Sequence, residues 1–315
     1  MMNRRKFLAA LGAGLAASGV GLADSHAGND SKPEVAITID DISAGASFDL
    51  TAAERHRRMR EALAGRSKLK AAIFVRGKLL DSDEGRQLLR AWDDDGHLIG
   101  NHTYSHQYYH SQKLTFEEFS ADVLRGEAVI KDLKNFRRLF RFPYLKEGDT
   151  LAKRDGMRAL LKRHGYRTGH VTIDASDWYV AQRMTERLKQ NPKADTNGYR
   201  DFYLAHMWER SAFYDDLARR VAGRPVRHTV LLHDNLLNAL FLADLLRMYE
   251  GKGWRLIDAE RAFADPVFRA EPNILPAGES IVWALAKESK KFEHLLRYPG
   301  EDGPYEKEKM DRLGL

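Results

Sequence analysis

The sequence predicts an α/β fold, a barrel of parallel βα units, on three observations. Short apolar runs alternate with amphipathic stretches of helical length through most of the chain. Two of those stretches open with Thr followed three residues later by Glu, the spacing of a capping box: Thr51 with Glu54 and Thr115 with Glu118. Polar clusters rich in Asp, His and Arg recur immediately after apolar runs, where the βα loops of such a barrel build its active face.

In chain order, residues 1–27 are set apart as an export signal. Arg4-Arg5-Lys6 is a charged start, residues 7–23 are apolar and rich in Gly and Ala, and Ser25-His26-Ala27 is a small-x-Ala cleavage site. The arginine pair before Phe7-Leu8 points to the twin-arginine route, with Asn3 in place of the usual hydroxyl residue and the Sec route as the alternative. Either leads to an exported, periplasmic protein. The apolar run is short for a span of about 20 residues, and no later stretch is apolar enough to cross a bilayer.

Residues 35–39 read as the first strand and 51–63 as the first helix. Strand 69–75 and helix 83–92 follow, with Gly96 as the stop before strand 97–100. Helix 115–133 leads to strand 139–142, and helix 150–163 to Gly165 and strand 168–173. Helices 181–190 and 199–221 precede the apolar strand 226–232. Helix 236–249, the turn Gly251-Lys252-Gly253 and strand 254–257 end the series. Beyond residue 264, Pro266, Pro272, Pro276 and Gly278 break the periodicity, after which 280–297 has the pattern of one helix. The chain therefore divides into the leader, a domain over 28–262 and a C-terminal extension over 263–315. That extension is expected to pack on the barrel, with a substrate-side flap as the alternative.

Composition narrows the function. A net charge of +6 is a mild excess spread through mixed-sign helices, and losing the leader removes Arg4, Arg5, Lys6 and Asp24. No basic stripe interleaved with aromatics argues for nucleic acid. With no cysteine, disulfides and thiolate metal sites are excluded, so any metal must sit on nitrogen and oxygen ligands.

The clusters after the predicted strands are Asp40-Asp41, His102 to His106, Arg141-Phe142-Pro143-Tyr144, Asp174 to Trp178, and His233-Asp234. His102 and His106, at i and i+4, fall on one face of a helical turn, close enough to bind one ion. Each cluster has a structural alternative. Paired aspartates cap helices or make turns, a lone His pair can be solvated, Arg141 can be a salt-bridge residue, and Asp174 to Trp178 can be a cap with a core Trp. Five clusters on one barrel face outweigh these alternatives.

Asp-Asp after an apolar strand, His-x-x-x-His, Arg-x-Pro-Tyr, Asp-x-x-Asp-Trp and a strand ending in His, in this order, resemble the polysaccharide deacetylase family (the NodB-homology domain, carbohydrate esterase family 4). The resemblance spans residues 33–262. It implies a distorted (β/α) barrel holding one divalent metal ion, usually zinc, with cobalt, nickel or manganese as alternatives. It implies an acetylated glycan as partner, with hydrolysis of acetyl groups on N-acetylglucosamine-type polymers or on xylan. Carried over residue by residue, it implies Asp41, His102 and His106 as metal ligands, Asp40 as base and Arg141 as its orienting partner. By the same resemblance the Tyr144 backbone N–H is an oxyanion donor, and His233 is the acid, held by Asp177 with Asp174 nearer Arg141. Trp178 and Pro143 would contact substrate. Such a donor set, with a water position left open, is how catalytic zinc sites are built. The sequence departs from the family pattern at Ile39, usually Phe, and at Ile42 and Leu145, usually Gly.

The leading reading is a metal-dependent deacetylase of an N-acetylated glycan. Its rivals are an O-acetyl esterase or small-amide hydrolase on the same site, an iron(II) oxygenase built on the same two histidines and carboxylate, and a non-catalytic glycan-binding protein. The aromatics Tyr199, Phe202, Tyr203, Trp208, Phe213 and Tyr214 read as core at helical spacing, with sugar stacking as the alternative. His56, His97, His110, His164, His170, His206, His228 and His294 match no motif and are expected to be structural or exposed.

Overall fold

The run Val-Ala-Ile-Thr-Ile becomes the strand on which the sheet is assembled. In the computed structural model, which describes residues 32–66, 69–297 and 301–315, β1 (Glu34–Asp40) is buried from Val35 onward. Its β-branched residues suit a strand packed on both faces, the usual state of a parallel sheet. It pairs in parallel with β2 (Ala72–Val75) on one side and β7 (Arg227–His233) on the other, and its first residues also pair with β8 (Arg255–Leu256). Beyond β2 come β3 (Leu98–Asn101), β4 (Phe136–Phe140) and β6 (Arg167–Thr168), giving the order β6-β4-β3-β2-β1-β7. These parallel strands curl into a half-barrel. The expected leader at 1–27 lies outside the described residues.

The helices are amphipathic covers for this sheet. They are α1 (Ala52–Ala64), α2 (Asp83–Asp94), α3 (Phe116–Ile130), α4 (Leu151–Arg163), α5 (Asp177–Gln190), α6 (Asn197–Ala222), α7 (Leu236–Gly251) and α8 (Ala259–Phe263). Thr115 forms a full capping box with Glu118. Thr51 accepts from the Glu54 N–H, but the Glu54 carboxylate turns to Arg57 and Arg58, so only half of that box forms. Tyr199, Tyr203 and Tyr214 of α6 are buried in the main core.

Several predicted elements are shorter than expected, the strand at 168–173 and the helix at 280–297 most of all. The strand at 168–173 reduces to β6 and a bridge from Ile173 to Val230. Gly169 lies so close to Phe74 that an added Cβ would sit 2.4 Å from its ring. The Thr172 hydroxyl adds to the few backbone bonds that remain there, donating to Thr229 O at 3.1 Å and accepting from Thr229 N at 2.9 Å. The helix at 280–297 ends early, because α9 (Ile281–Ser289) is capped by Lys290 in the left-handed conformation at φ 58°.

Residues 32–315 form one compact unit that includes the C-terminal segment. There, β9 (Ala277–Gly278) pairs antiparallel with β5 (Lys146–Gly148) in the loop after β4. Helix α10 (Pro304–Arg312) is tied down by buried charge: Arg297 donates to Glu306 at 2.7 Å and to Glu301 at 2.9 Å, and Arg210 of α6 also pairs with Glu301. Among the described residues no helix is long and apolar enough to cross a membrane.

Candidate active site

All the sequence clusters meet at the carboxyl ends of the strands. Asp40 is the last residue of β1, and Asp41 follows it in the left-handed region at φ 63°. Successive strand residues point to opposite faces, so this turn is what lets both carboxylates line one cleft with His102, His106 and His233. The cleft has a volume of about 490 Å³.

The histidine pair is on a loop after β3, not on the helical turn expected from its spacing. Thr103 and His106 both take positive φ, at 64° and 60°. The Thr103 carbonyl accepts from Gly77 N, and the Thr103 hydroxyl accepts from His106 N at 2.9 Å. This strained turn brings the two rings to 4.9 Å between centroids. One ligand atom each from Asp41, His102 and His106 lie within 4.8 Å of one another. Burial pushes both imidazoles down to about 4, so they are neutral with lone pairs available. His102 Nδ1 contacts the Arg141 carbonyl at 2.7 Å, the bond that sets Nδ1 as donor and leaves Nε2 as acceptor. Nε2 of His106 lies 3.4 Å, and Nε2 of His102 3.8 Å, from Asp41 Oδ1. That oxygen is buried with no hydrogen-bond donor, and Arg76 Nε stands 3.1 Å away outside hydrogen-bond geometry. Against the cost of burial, His102, His106 and Arg76 hold Asp41 below the usual carboxylate range. Two neutral imidazoles and an ionised carboxylate with an orphaned oxygen fit a divalent cation.

Beside this group, Asp40 Oδ1 accepts from Arg141 Nη1 at 2.6 Å, and the same nitrogen donates to Thr38 Oγ1 at 2.9 Å. Arg141 is fully buried, lies over the Phe74 ring and donates through Nε to Gly169 O. Burial raises the Asp40 pKa against the pull of Arg141.

On the adjacent strand, in register with Asp40, His233, the last residue of β7, bonds through Nδ1 to Asp177 Oδ1 at 2.7 Å, and its backbone N–H donates to Asp177 Oδ2. Although burial opposes it, the charge of Asp177, with Asp40 and Asp41 beyond, pushes His233 up to about 9. Asp177 is itself held by Asn238 Nδ2 at 2.7 Å and Asn235 Nδ2 at 3.0 Å, while Tyr203 Oη donates to Asn238 Oδ1 at 2.6 Å. Asn235 and Asn238 carried no motif. Their signal was two amides at the start of the helix that follows His233-Asp234. Asp234 faces away from this pair, accepting from Arg55, His56 and Ser43 N, and so pins the loop after Asp41.

The walls amend several expectations. Tyr144 and Leu145 both take left-handed φ, at 57° and 58°. Leu145 stands where glycine would be unstrained, and Glu279 N donates to its carbonyl at 2.9 Å. Tyr144 is exposed, with its ring against His106 at 4.6 Å, and Trp178 lines the cleft. Pro143 is buried behind this wall rather than lining it, because the left-handed turn that follows presents Tyr144 and Leu145 instead. Asp174 lines the cleft and its charge acts on Arg141, but no hydrogen bond joins the two. Arg141 donates through Nε to Gly169 O and through Nη1 to Asp40 and Thr38, and its buried Nη2 has no partner. Ile39 and Ile42 are fully buried, apolar packing in the places of the family's Phe and Gly. Unanticipated lining residues are Tyr108, Lys146 and, from the C-terminal segment, Glu279, Glu301 and Asp302.

Residues 27–169 match the family model described as polysaccharide deacetylase. That match takes in Asp40, Asp41, His102, His106 and Arg141 and ends before Asp177 and His233. No curated protein matches the chain in sequence. Among solved structures, the chain is similar to a mutant, with restored enzymatic activity, of a CE4 family pseudoenzyme from Bacillus anthracis. The two are 19% identical over 73% of this chain and 67% of that one, with a TM-score of 0.51. Peptidoglycan deacetylase PdaC from Bacillus subtilis is 19% identical over 73% of this chain and 90% of its own, with a TM-score of 0.47. PdaA of the same organism, a family 4 carbohydrate esterase, is 16% identical over 74% and 81%, also at 0.47. The chain carries the parallel half-barrel, and its residues 27–169 are similar to the polysaccharide deacetylase family.

Proposed function

We propose that this chain is a metal-dependent hydrolase that removes acetyl groups from an N-acetylglucosamine-type glycan, exported under the direction of its N-terminal segment. The observation that carries the reading is the convergence, in one cleft, of an arginine-held carboxylate and an aspartate-held histidine with Asp41, His102 and His106. Those three residues would hold one divalent ion, zinc being the metal that suits two imidazoles and a carboxylate. The ion would supply Lewis acidity, lowering the pKa of a water molecule and polarising the acetyl carbonyl.

The chain's own groups divide the proton work. Asp40 is the base that receives the proton of the attacking water; its raised pKa favours keeping that proton, and Arg141 fixes the oxygen that takes it. His233, protonated at neutral pH, gives a proton to the departing nitrogen, and Asp177 holds the ring in the tautomer and orientation for that transfer. The Tyr144 N–H, in the left-handed turn beside His106, is the donor proposed for the developing oxyanion. An amine leaves poorly without a proton and an alkoxide from an ester leaves more readily. A histidine pushed up to about 9 therefore favours amide over ester cleavage.

The test is acetate release by metal-stripped protein with zinc or cobalt restored, across N-acetylglucosamine oligomers, peptidoglycan, poly-N-acetylglucosamine and acetylated xylan. His106→Ala serves as the blank. The proposal expects metal-dependent release from an N-acetylated glycan that the blank lacks. Release from xylan alone would transfer the assignment to O-acetyl esters, and release from none would refute it.

A further inference from the structure

Asp177 holds His233, and the turn that delivers Asp177 is itself held from outside the cleft. Ser176, the residue before it, is the centre of an inverse γ-turn at φ −80° and ψ 49°, closed by Asp177 N donating to Ala175 O at 2.9 Å. The Ser176 hydroxyl is buried without a partner and does not cap α5. Its N–H instead donates to Nε2 of His206, on α6, at 3.3 Å. His206 is buried, with the Phe202 ring stacked on it at 6.0 Å between centroids. An N–H needs a lone pair to receive it, so Nε2 is unprotonated and Nδ1 carries the ring proton. Burial pushes His206 down to about 4, which keeps the ring neutral at neutral pH. Nδ1 stands 3.4 Å from Oε2 of Glu306, on α10, an oxygen that is buried with no hydrogen-bond partner. The other charges around this ring are Glu209 and Arg210 of α6 and Arg297, which donates to Glu306 Oε1 at 2.7 Å, with Lys309 Nζ 3.9 Å from Oε2.

We propose that His206 is a positioning residue for the acid: backed by Glu306, it pins the Ser176 turn and so fixes Asp177 against His233. The effect on rate rests on the deacetylase reading, in which His233 is the acid. Four donors converge on the Asp177 carboxylate, from His233 N and Nδ1, Asn235 and Asn238, and they are met together because the backbone before Asp177 is fixed. A carboxylate behind an imidazole selects the tautomer that the far nitrogen presents, which here is the lone pair that receives the Ser176 N–H. Without that lone pair the N–H is buried and unpaired, and the turn shifts toward another acceptor. Asp177 moves with the turn, its bond to His233 Nδ1 lengthens, and His233 loses part of the charge that keeps it protonated. Helix α10 thereby supports the acid from outside the cleft without lending a group to the reaction.

Two substitutions separate the ring nitrogens. In His206→Gln the amide oxygen reaches the place of Nε2 and can still accept from Ser176 N, whereas in His206→Asn the amide reaches only the place of Nδ1. The full-length, zinc-loaded protein is assayed on N-acetylglucosamine oligomers across pH, and the His233 ring is titrated in the same protein by nitrogen-15 NMR. His206→Asn is expected to lower kcat about tenfold with KM within about twofold of wild type. It is also expected to move the basic limb of the kcat profile and the His233 titration to lower pH, while His206→Gln stays close to wild type in all of these. Where His206→Asn does not fold, Glu306→Gln, which keeps the packing and removes the charge behind Nδ1, is expected to shift His233 in the same direction. A His233 titration that stays unmoved in His206→Asn, or in Glu306→Gln where that variant stands in, would overturn the proposal. Equal losses in the two His206 variants would also overturn it, because they would show packing rather than the Ser176 bond at work. No acetate release from wild type would refute the deacetylase reading alone: a His233 titration lowered in His206→Asn and kept in His206→Gln would still uphold the positioning role.

Discussion

Asp40 and His233 share a cleft but are held by opposite means. Arg141 gives Asp40 a charge-assisted bond of 2.6 Å from inside the core, and Asp177 gives His233 one of 2.7 Å. Replacing Asp40 with Asn keeps the shape and leaves Asp41, His102 and His106 in place. Activity should fall by about 10²–10⁴-fold with metal content unchanged by atomic absorption. The second prediction concerns pH. His233 must be protonated to act as acid, so the rate falls as pH rises through its pKa, which Asp177 helps push up to about 9. Asp177→Asn removes that charge, so the pKa falls and the basic limb of the kcat profile moves to lower pH; an unmoved limb would mean that another group sets it. At this scale much of the site was legible: each strand-end cluster places a side chain at or directly behind the cleft. Asn235 and Asn238 were not, because an amide that orients a carboxylate has no spacing rule, only a helix start beside it.

Elements deliver these side chains through local strain. Asp41, Thr103, His106, Tyr144 and Leu145 all take left-handed backbone without being glycine, each at a cost of about 1–2 kcal/mol. The periodicity of His102 and His106 suggested a helical turn, and a strained loop produces the same convergence. Spacing reports that two side chains meet, not the backbone that brings them together. The turn at Leu145 is held from outside by the pairing of β5 with β9, and Gly278 there sits at φ 133°, where an added Cβ would meet the Leu145 carbonyl at 2.1 Å. Gly278→Ala should therefore destabilise the protein by about 1–3 kcal/mol and lower kcat at temperatures where the variant is fully folded. A variant with lowered Tm but wild-type kcat would separate the clamp from the site. The C-terminal segment was the least legible part of the chain. Its prolines erase periodicity, and its contacts with the β4 loop and α6 are long-range.

For the whole molecule, one parallel sheet places base, acid and the three-residue cluster at the carboxyl ends of its strands, and strand β1 pairs with β2, β7 and β8. Parallel βα alternation was plain in the sequence because both faces of such a sheet are buried and its strands are continuously apolar. Ile37 is fully buried in β1, so Ile37→Ala should cost about 2–5 kcal/mol, read as a lower denaturant midpoint at unchanged slope. Metal should stabilise the fold by mass action. Free zinc at 100 times its Kd adds about 2.7 kcal/mol, and His106→Ala should abolish the resulting rise in Tm. The most direct test of the account is acetate release from an N-acetylated glucosamine oligomer by wild type and Asp40→Asn loaded with equal, stoichiometric zinc. The account predicts release by the wild type and a loss of at least a hundredfold in the variant. Full activity in Asp40→Asn, or none in a zinc-loaded wild type, would contradict it.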